Sequence, residues 1–234
     1  MPDPATDRES KAIPQPLAIA TGLGLLFATY MIFVWAPTES TMGVLQRIFY
    51  FHMPSAVVAF VAFIVGGIAA IRYVATRESR FDDLSVACNE VGLVFAVVNL
   101  VTGMIWGKPA WGVYWAWGDA RLMTALLLVL IYAGYLILRQ SVNEPNQRAV
   151  VCAVVSIFGM ADIPIVYMAN RVWRTQHPGP VIGGGGGLDS NMWLVLLASL
   201  VAQLLMMWCL VRARRHLERL RREADGLRRE VHAL

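Results

Sequence analysis

Charge is scarce in this chain: only 15% of its 234 residues are Asp, Glu, Lys or Arg. A soluble domain carries about a quarter, so a water-facing globule is the first thing excluded. Cysteine is scarcer. There are three, Cys88, Cys152 and Cys209, and no Cys-x-x-Cys-His, which excludes a chain with covalently attached c-type haem. Five glycines run from Gly183 to Gly187, but no Gly-Lys-Ser or Gly-Lys-Thr follows. The run therefore reads as a flexible linker and not as a P-loop. No enzymatic motif emerges, and no nucleic-acid partner is expected.

What is present is apolar: 57% of the chain is hydrophobic. Six runs approach the roughly 20 residues that cross a bilayer: Leu17–Trp35, Ser55–Ile71, Val86–Trp106, Leu122–Leu138, Ala149–Met168 and Met192–Val211. They predict an all-α membrane protein of six transmembrane helices. Residues 1–16 form an N-terminal segment, 17–211 the membrane domain and 212–234 a basic tail. The first run is too long for a secretory leader, and Trp35-Ala36-Pro37-Thr38 is a poor cleavage site, so it reads as a permanent helix.

The basic residues orient the bundle. With the N-terminus inside, 15 of the 20 fall on inner segments, and Arg47, Lys108, Arg121, Arg171 and Arg174 fall outside. That bias predicts a multi-pass protein of the bacterial inner membrane with both termini cytoplasmic. Seven of the eight tryptophans then collect at the outer ends, Trp208 being the exception. An ordinary interfacial belt would populate both ends, so the skew suggests an aromatic surface built for a purpose. All three cysteines fall at inner ends, away from the oxidising side, and a structural disulfide is not expected.

Of the four histidines, His216 and His232 lie in the tail. His52, in Arg47-Ile-Phe-Tyr-Phe-His-Met-Pro54, reads as an outer loop residue before the second helix. His177, in Asn170-Arg-Val-Trp-Arg-Thr-Gln-His-Pro178, follows the fifth. Two imidazoles on one face can ligate a haem iron axially; solvated loop histidines are the other reading. Between them runs Trp106-Gly-Lys-Pro-Ala-Trp-Gly-Val-Tyr-Trp-Ala-Trp-Gly-Asp-Ala-Arg121. Trp111 and Trp115 share a face in a helix or in extended chain, and Trp117 joins them only if extended. Such a shelf can stack on a porphyrin or simply anchor the chain at the interface. Arg47, Arg121, Arg171, Arg174 and Lys108 are candidate partners for propionates.

This segment resembles the tryptophan-rich signature Trp-Gly-x-x-Trp-x-Trp-Asp of the WWD family, which handles haem in cytochrome c maturation. Arg47-Ile-Phe-Tyr-Phe-His-Met-Pro-Ser55, Thr102-Gly-x-x-Trp-Gly-Lys-Pro109 and Pro164-Ile-Val-Tyr167 agree as well. The layout is similar to the C component of the Ccm system; the related cytochrome c synthetases carry additional helices and large outer domains. The resemblance implies haem b as ligand, held by His52 and His177 with Trp111, Gly112, Trp115, Trp117 and Asp119 as the platform. It also implies delivery to an extracytoplasmic haem chaperone, beside an ABC-type ATPase, a permease subunit and a small membrane adaptor. One departure stands out: Trp117-Gly118-Asp119 replaces Trp-Asp, a difference that glycine can absorb as a bulge or turn.

Glu90, Asn99 and Asp162 interrupt apolar helices. Glu90 reads as reaching interfacial water, and Asp162 as satisfying backbone freed by Pro164. In the tail, Leu217, Leu220, Ala224, Leu227, Val231 and Leu234 alternate three and four apart among eight arginines. A short amphipathic helix is expected there, pairing with another chain's helix or lying on the anionic leaflet. Two rival functions remain: a b-type cytochrome subunit, disfavoured because no span holds a histidine, and a small-solute permease.

Overall fold

The fold is described from a computed structural model, for residues 12–179 and 187–232. All regular structure in these segments is helical. Helix α1 spans Gln15–Tyr30 and widens into a π-helical turn at Met31–Trp35. A 3-10 segment, Val44–Ile48, runs straight into α2, Phe49–Thr76. Helices α3 (Ser79–Trp111), α4 (Ala120–Ser141), α5 (Pro145–Val172) and α6 (Ser190–His232) follow. Six of these units are long and apolar enough to cross a membrane.

The helices form because each apolar run must satisfy its own backbone in a medium without water. Their ends are closed by side chains and backbone. Asp119 caps α4, and Glu144 caps α5 by accepting from the N–H groups of Asn146 and Gln147. Arg77 takes the left-handed conformation at φ 60° and turns α2 tightly into α3. Hydrogen bonds hold Glu144 below the usual carboxylate range.

Helices α2 and α3 form the centre and pack on each other most extensively, with α5 and α6 against α2 and α4 against α5. Their shared core is a stack of Phe63 on Tyr132, with ring centroids 3.6 Å apart and planes 6° from parallel. Glycine makes room for both rings. A Cβ on Gly92 would lie 2.7 Å from Phe63, and one on Gly159 2.8 Å from Tyr132. Helix α1 leans on α6 and exposes Leu23, Leu26, Phe27 and Val34. All three cysteines are free and buried.

The bundle has an aromatic end, where α2, α4 and α6 begin, and an arginine-rich end. At the latter the structure corrects the expectation for the tail. Residues beyond Val211 form no separate short helix: they continue α6 unbroken to His232. Ion pairs explain its course. Arg139 bonds both oxygens of Asp82, at 2.9 and 2.8 Å, and Glu218 at 3.2 Å. Arg214 holds Glu90 and Glu218, and Arg222 holds Asp83. Glu90 is therefore engaged by α6, with its side chain still partly exposed. Asp162 does not serve the backbone, since its Oδ2 is buried with no partner among the described residues.

Candidate functional site

His52 sits inside α2, in its first turns, and not on a preceding loop. By sequence alone, Pro54 marks a helix boundary. Pro54, the sixth residue of α2, forgoes one backbone bond, the one a donor there would give to the Tyr50 carbonyl, and the helix runs through it. The 3-10 segment has already brought the chain into helical form. The placement also removes the objection that no span holds a histidine.

Helix α3 holds the His52 ring. Nδ1 lies 3.0 Å from the carbonyl oxygen of Asn99 and 3.2 Å from the hydroxyl of Thr102. A carbonyl only accepts, so Nδ1 carries the proton and Nε2 keeps its lone pair. The Asn99 amide approaches Nε2 at 3.4 Å, but its better bond, at 2.9 Å, goes to the His52 carbonyl. Ser55 donates to that same carbonyl at 2.7 Å.

His177 arrives from the loop after α5. Its Nδ1 lies 3.0 Å from the carbonyl of Pro178, which again assigns the proton to Nδ1 and the lone pair to Nε2. Burial, and then the charge of Arg121, push its pKa down from 6.5 to about 4. The ring is therefore neutral at ordinary pH, the form a metal requires. The two imidazoles meet with ring centroids 6.2 Å apart and planes inclined by 31°.

The tryptophan segment is neither one helix nor one strand. Trp111 ends α3, and Gly112 closes it at φ 78°, donating its N–H to Lys108 at 2.9 Å. Lys108 returns its ammonium to the Gly112 carbonyl at 2.9 Å. Trp111 meets His177 edge-on at 6.4 Å and Trp106 at 5.2 Å. Trp115 pairs with Trp117 at 6.1 Å, so the rings form two groups and not one shelf. Trp117 is 73% exposed, whereas the Trp115 Nε1 is buried with no partner among the described residues.

Gly118 is accommodated by a turn in which the N–H of Asp119 donates to the Ala116 carbonyl at 3.0 Å. Its φ is not positive, so the extra residue needs no conformation special to glycine. Asp119 is buried and accepts four hydrogen bonds, two from α4 and two from the loop of His177. Burial raises its pKa, but the bonds from Thr175, Gln176, Leu122 and Arg121 outweigh this and hold the carboxyl below its usual range.

Of the arginines, Arg121 is the one whose charge acts on His177; it reaches the Val166 carbonyl at 3.3 Å. Arg171 stacks over the Tyr167 ring at 4.3 Å. Arg47 lies in the 3-10 segment with its Nε buried and unpartnered among the described residues, and Arg174 is exposed. Asn99, Thr102 and Thr175 were not foreseen as parts of the site. The spacing of Asn99, Thr102 and Gly103 on one face of α3 was the available signal.

A family model described as Heme exporter protein C matches residues 3–230. The chain belongs to the haem exporter protein C family. The Heme exporter protein C of Bradyrhizobium diazoefficiens is 33% identical over 220 residues, covering 93% of this chain and 80% of that protein. That of Escherichia coli K12 is 30% identical over 163 residues, covering 70% of this chain and 66% of its own length. Haem exporter C membership makes the chain a multi-pass membrane protein of cytochrome c biogenesis.

Proposed function

We propose that the chain holds haem b at the aromatic end of its bundle and passes it to an extracytoplasmic haem chaperone. The supporting observation is the meeting of His52 and His177, each with Nδ1 on a carbonyl and Nε2 left for a metal. Two imidazoles on opposite sides of one metal, each bonded at about 2 Å, put their ring centres on the order of 6 Å apart. The observed 6.2 Å fits. The described residues contain no group of three His, Cys, Asp or Glu that would hold a bare metal ion. Two ligands suffice when the iron brings its own macrocycle. Bound haem supplies an iron that accepts two axial nitrogens.

Haem is cargo here, not a resident cofactor, and the chain is a carrier and not an enzyme. His52 and His177 would supply the axial nitrogens. Trp111, Trp115 and Trp117 would contact the porphyrin and the docking chaperone, with Gly112 and Asp119 shaping the loop. Arg121 is the best-placed propionate partner; Arg47, Arg171 and Arg174 are secondary. The charge asymmetry supports a bacterial inner-membrane protein with this end outside and both termini inside. The expected assembly includes an ABC-type ATPase that supplies the energy, a permease subunit and a small membrane adaptor.

The test is the optical and EPR spectrum of the purified chain loaded with haem. Six-coordinate, low-spin iron is expected, and His52→Ala and His177→Ala should each weaken haem retention and change that signature. An unchanged spectrum in both variants overturns the assignment. Rapid electron exchange with quinol, without transfer to a chaperone, would instead favour the b-type cytochrome reading.

A further inference from the structure

Asp119 is 4% exposed, and its two carboxylate oxygens serve different elements. Oδ1 accepts from the N–H groups of Arg121 and Leu122, at 3.0 and 3.2 Å, and so closes the open first turn of α4. Oδ2 faces the other way. It accepts from the Thr175 hydroxyl at 2.5 Å and from the Gln176 N–H at 2.8 Å. Thr175 Oγ1 in turn accepts from the backbone N–H of His177 at 3.0 Å. Two successive hydrogen bonds thus run from the Asp119 carboxylate to the backbone of His177.

The rest of that loop is lightly held. Trp173, Arg174, Gln176 and Pro178 are exposed, and the bond from the Asn170 amide to the Pro178 carbonyl is long at 3.4 Å. We propose that Asp119 is a positioning residue for His177: through Oδ2 it sets where that imidazole stands and so whether the second axial bond forms. This inference rests on the haem reading above.

The chemistry of the position separates this role from capping. Asn, Ser and Thr cap helices about as well as Asp, so the cap alone does not call for a carboxylate. Both partners of Oδ2 are donors. Only a second acceptor oxygen satisfies them, and an amide would turn N–H groups toward N–H and O–H groups. The signature acid is therefore tied to the histidine loop and not to iron.

Asp119→Asn is the discriminating variant, since it keeps the Oδ1 cap and removes the Oδ2 acceptor. In haem-free protein, amide exchange at Gln176 should rise roughly ten-fold or more, as expected for losing a hydrogen bond to a charged group; exchange at His177 should rise with it as its Thr175 acceptor loses its anchor, while the first turn of α4 stays protected. In haem-loaded protein, Asp119→Asn and Thr175→Val should shift iron from six-coordinate low-spin toward five-coordinate high-spin. Added imidazole should restore the low-spin form, and Thr175→Ser should behave as the parent. Unchanged exchange at Gln176 and His177, or an unchanged spectrum with the exchange raised, overturns the proposal. If His52→Ala and His177→Ala both leave the parent spectrum unaltered, the haem reading itself falls and carries this inference with it; if His177→Ala alone does, this inference falls. Raised exchange in Asp119→Asn would then still record the hydrogen-bonded link.

Discussion

Gly103 stands where any side chain would press on His52: a Cβ built on it lies 3.0 Å from Cε1 of the imidazole. The glycine on α3 is thus a clearance for the ring that Asn99 and Thr102 hold. Gly103→Ala should move that ring by a few tenths of an ångström. It should lower haem retention and alter the low-spin signature while leaving thermal stability within about 1 kcal/mol, the gain in helix propensity partly offsetting the contact. Haem content per purified chain, beside an unfolding curve, checks this.

The half-buried, neutral His177 couples pH to stability. Its folded pKa, about 4, lies below the ordinary 6.5. Between these values the unfolded chain binds the extra proton and the folded chain does not. Stability from this group is therefore complete above pH 6.5 and is lost as pH falls toward 4. Haem-free parent and His177→Gln should differ by a constant amount above pH 6.5. The parent should lose ground against the variant as pH falls through the window. Denaturation of both proteins at half-unit pH steps measures this.

Trp117 has no structural duty that its 73% exposure reveals. Trp117→Ala should leave folding stability nearly unchanged yet reduce haem transfer to the chaperone, since apolar surface buried on docking contributes roughly 25 cal/mol per Å². Formation of haem-loaded chaperone in cells is the readout. Full transfer from both Trp117→Ala and Trp115→Ala would reduce these rings to membrane anchors.

Arg139 lies between Asp82 and Glu218, with its side chain only 9% exposed. Arg139→Ala strands Asp82 and leaves the buried Glu218 to Arg214 alone, and should destabilise the bundle by about 3–5 kcal/mol. Adding Asp82→Asn and Glu218→Gln should recover much of that loss. Thermal unfolding in detergent compares the parent, the single variant and the triple variant.

Membrane orientation is open to direct labelling. With the native cysteines replaced, a cysteine at position 115 or 177 should react with an impermeant reagent added outside intact cells. One at position 216 should react only after the inner face is opened. The opposite pattern inverts the assignment.

The six spans were legible because burial in lipid demands long apolar runs, and such runs dominate residues 17–211. The histidines and the tryptophan segment were legible because their residue types are rare elsewhere in the chain. Their geometry was not. Pro54 suggests a helix boundary, yet α2 passes through it because the preceding 3-10 segment already set the backbone. Trp111 and Trp115 look like one face at a spacing of four, but Gly112 ends the helix between them. The bonds from Asp119 to Thr175 and Gln176 join segments far apart in sequence, and no local pattern encodes them. The tail showed its apolar stripe but not its ion pairs with α3 and α4, which depend on tertiary placement.

At 1.5 Å per residue, the 43 residues of α6 make a rod of about 65 Å, roughly twice the hydrocarbon thickness of a bilayer. Its first turns carry Met192, Val195 and Leu196, which pack with Tyr50 at the start of the helix that bears His52. Its far half carries Arg214, Glu218 and Arg222, bonded to the opposite ends of α3 and α4. The footing of His52 and the arginine-rich face are thus joined by one unbroken helix.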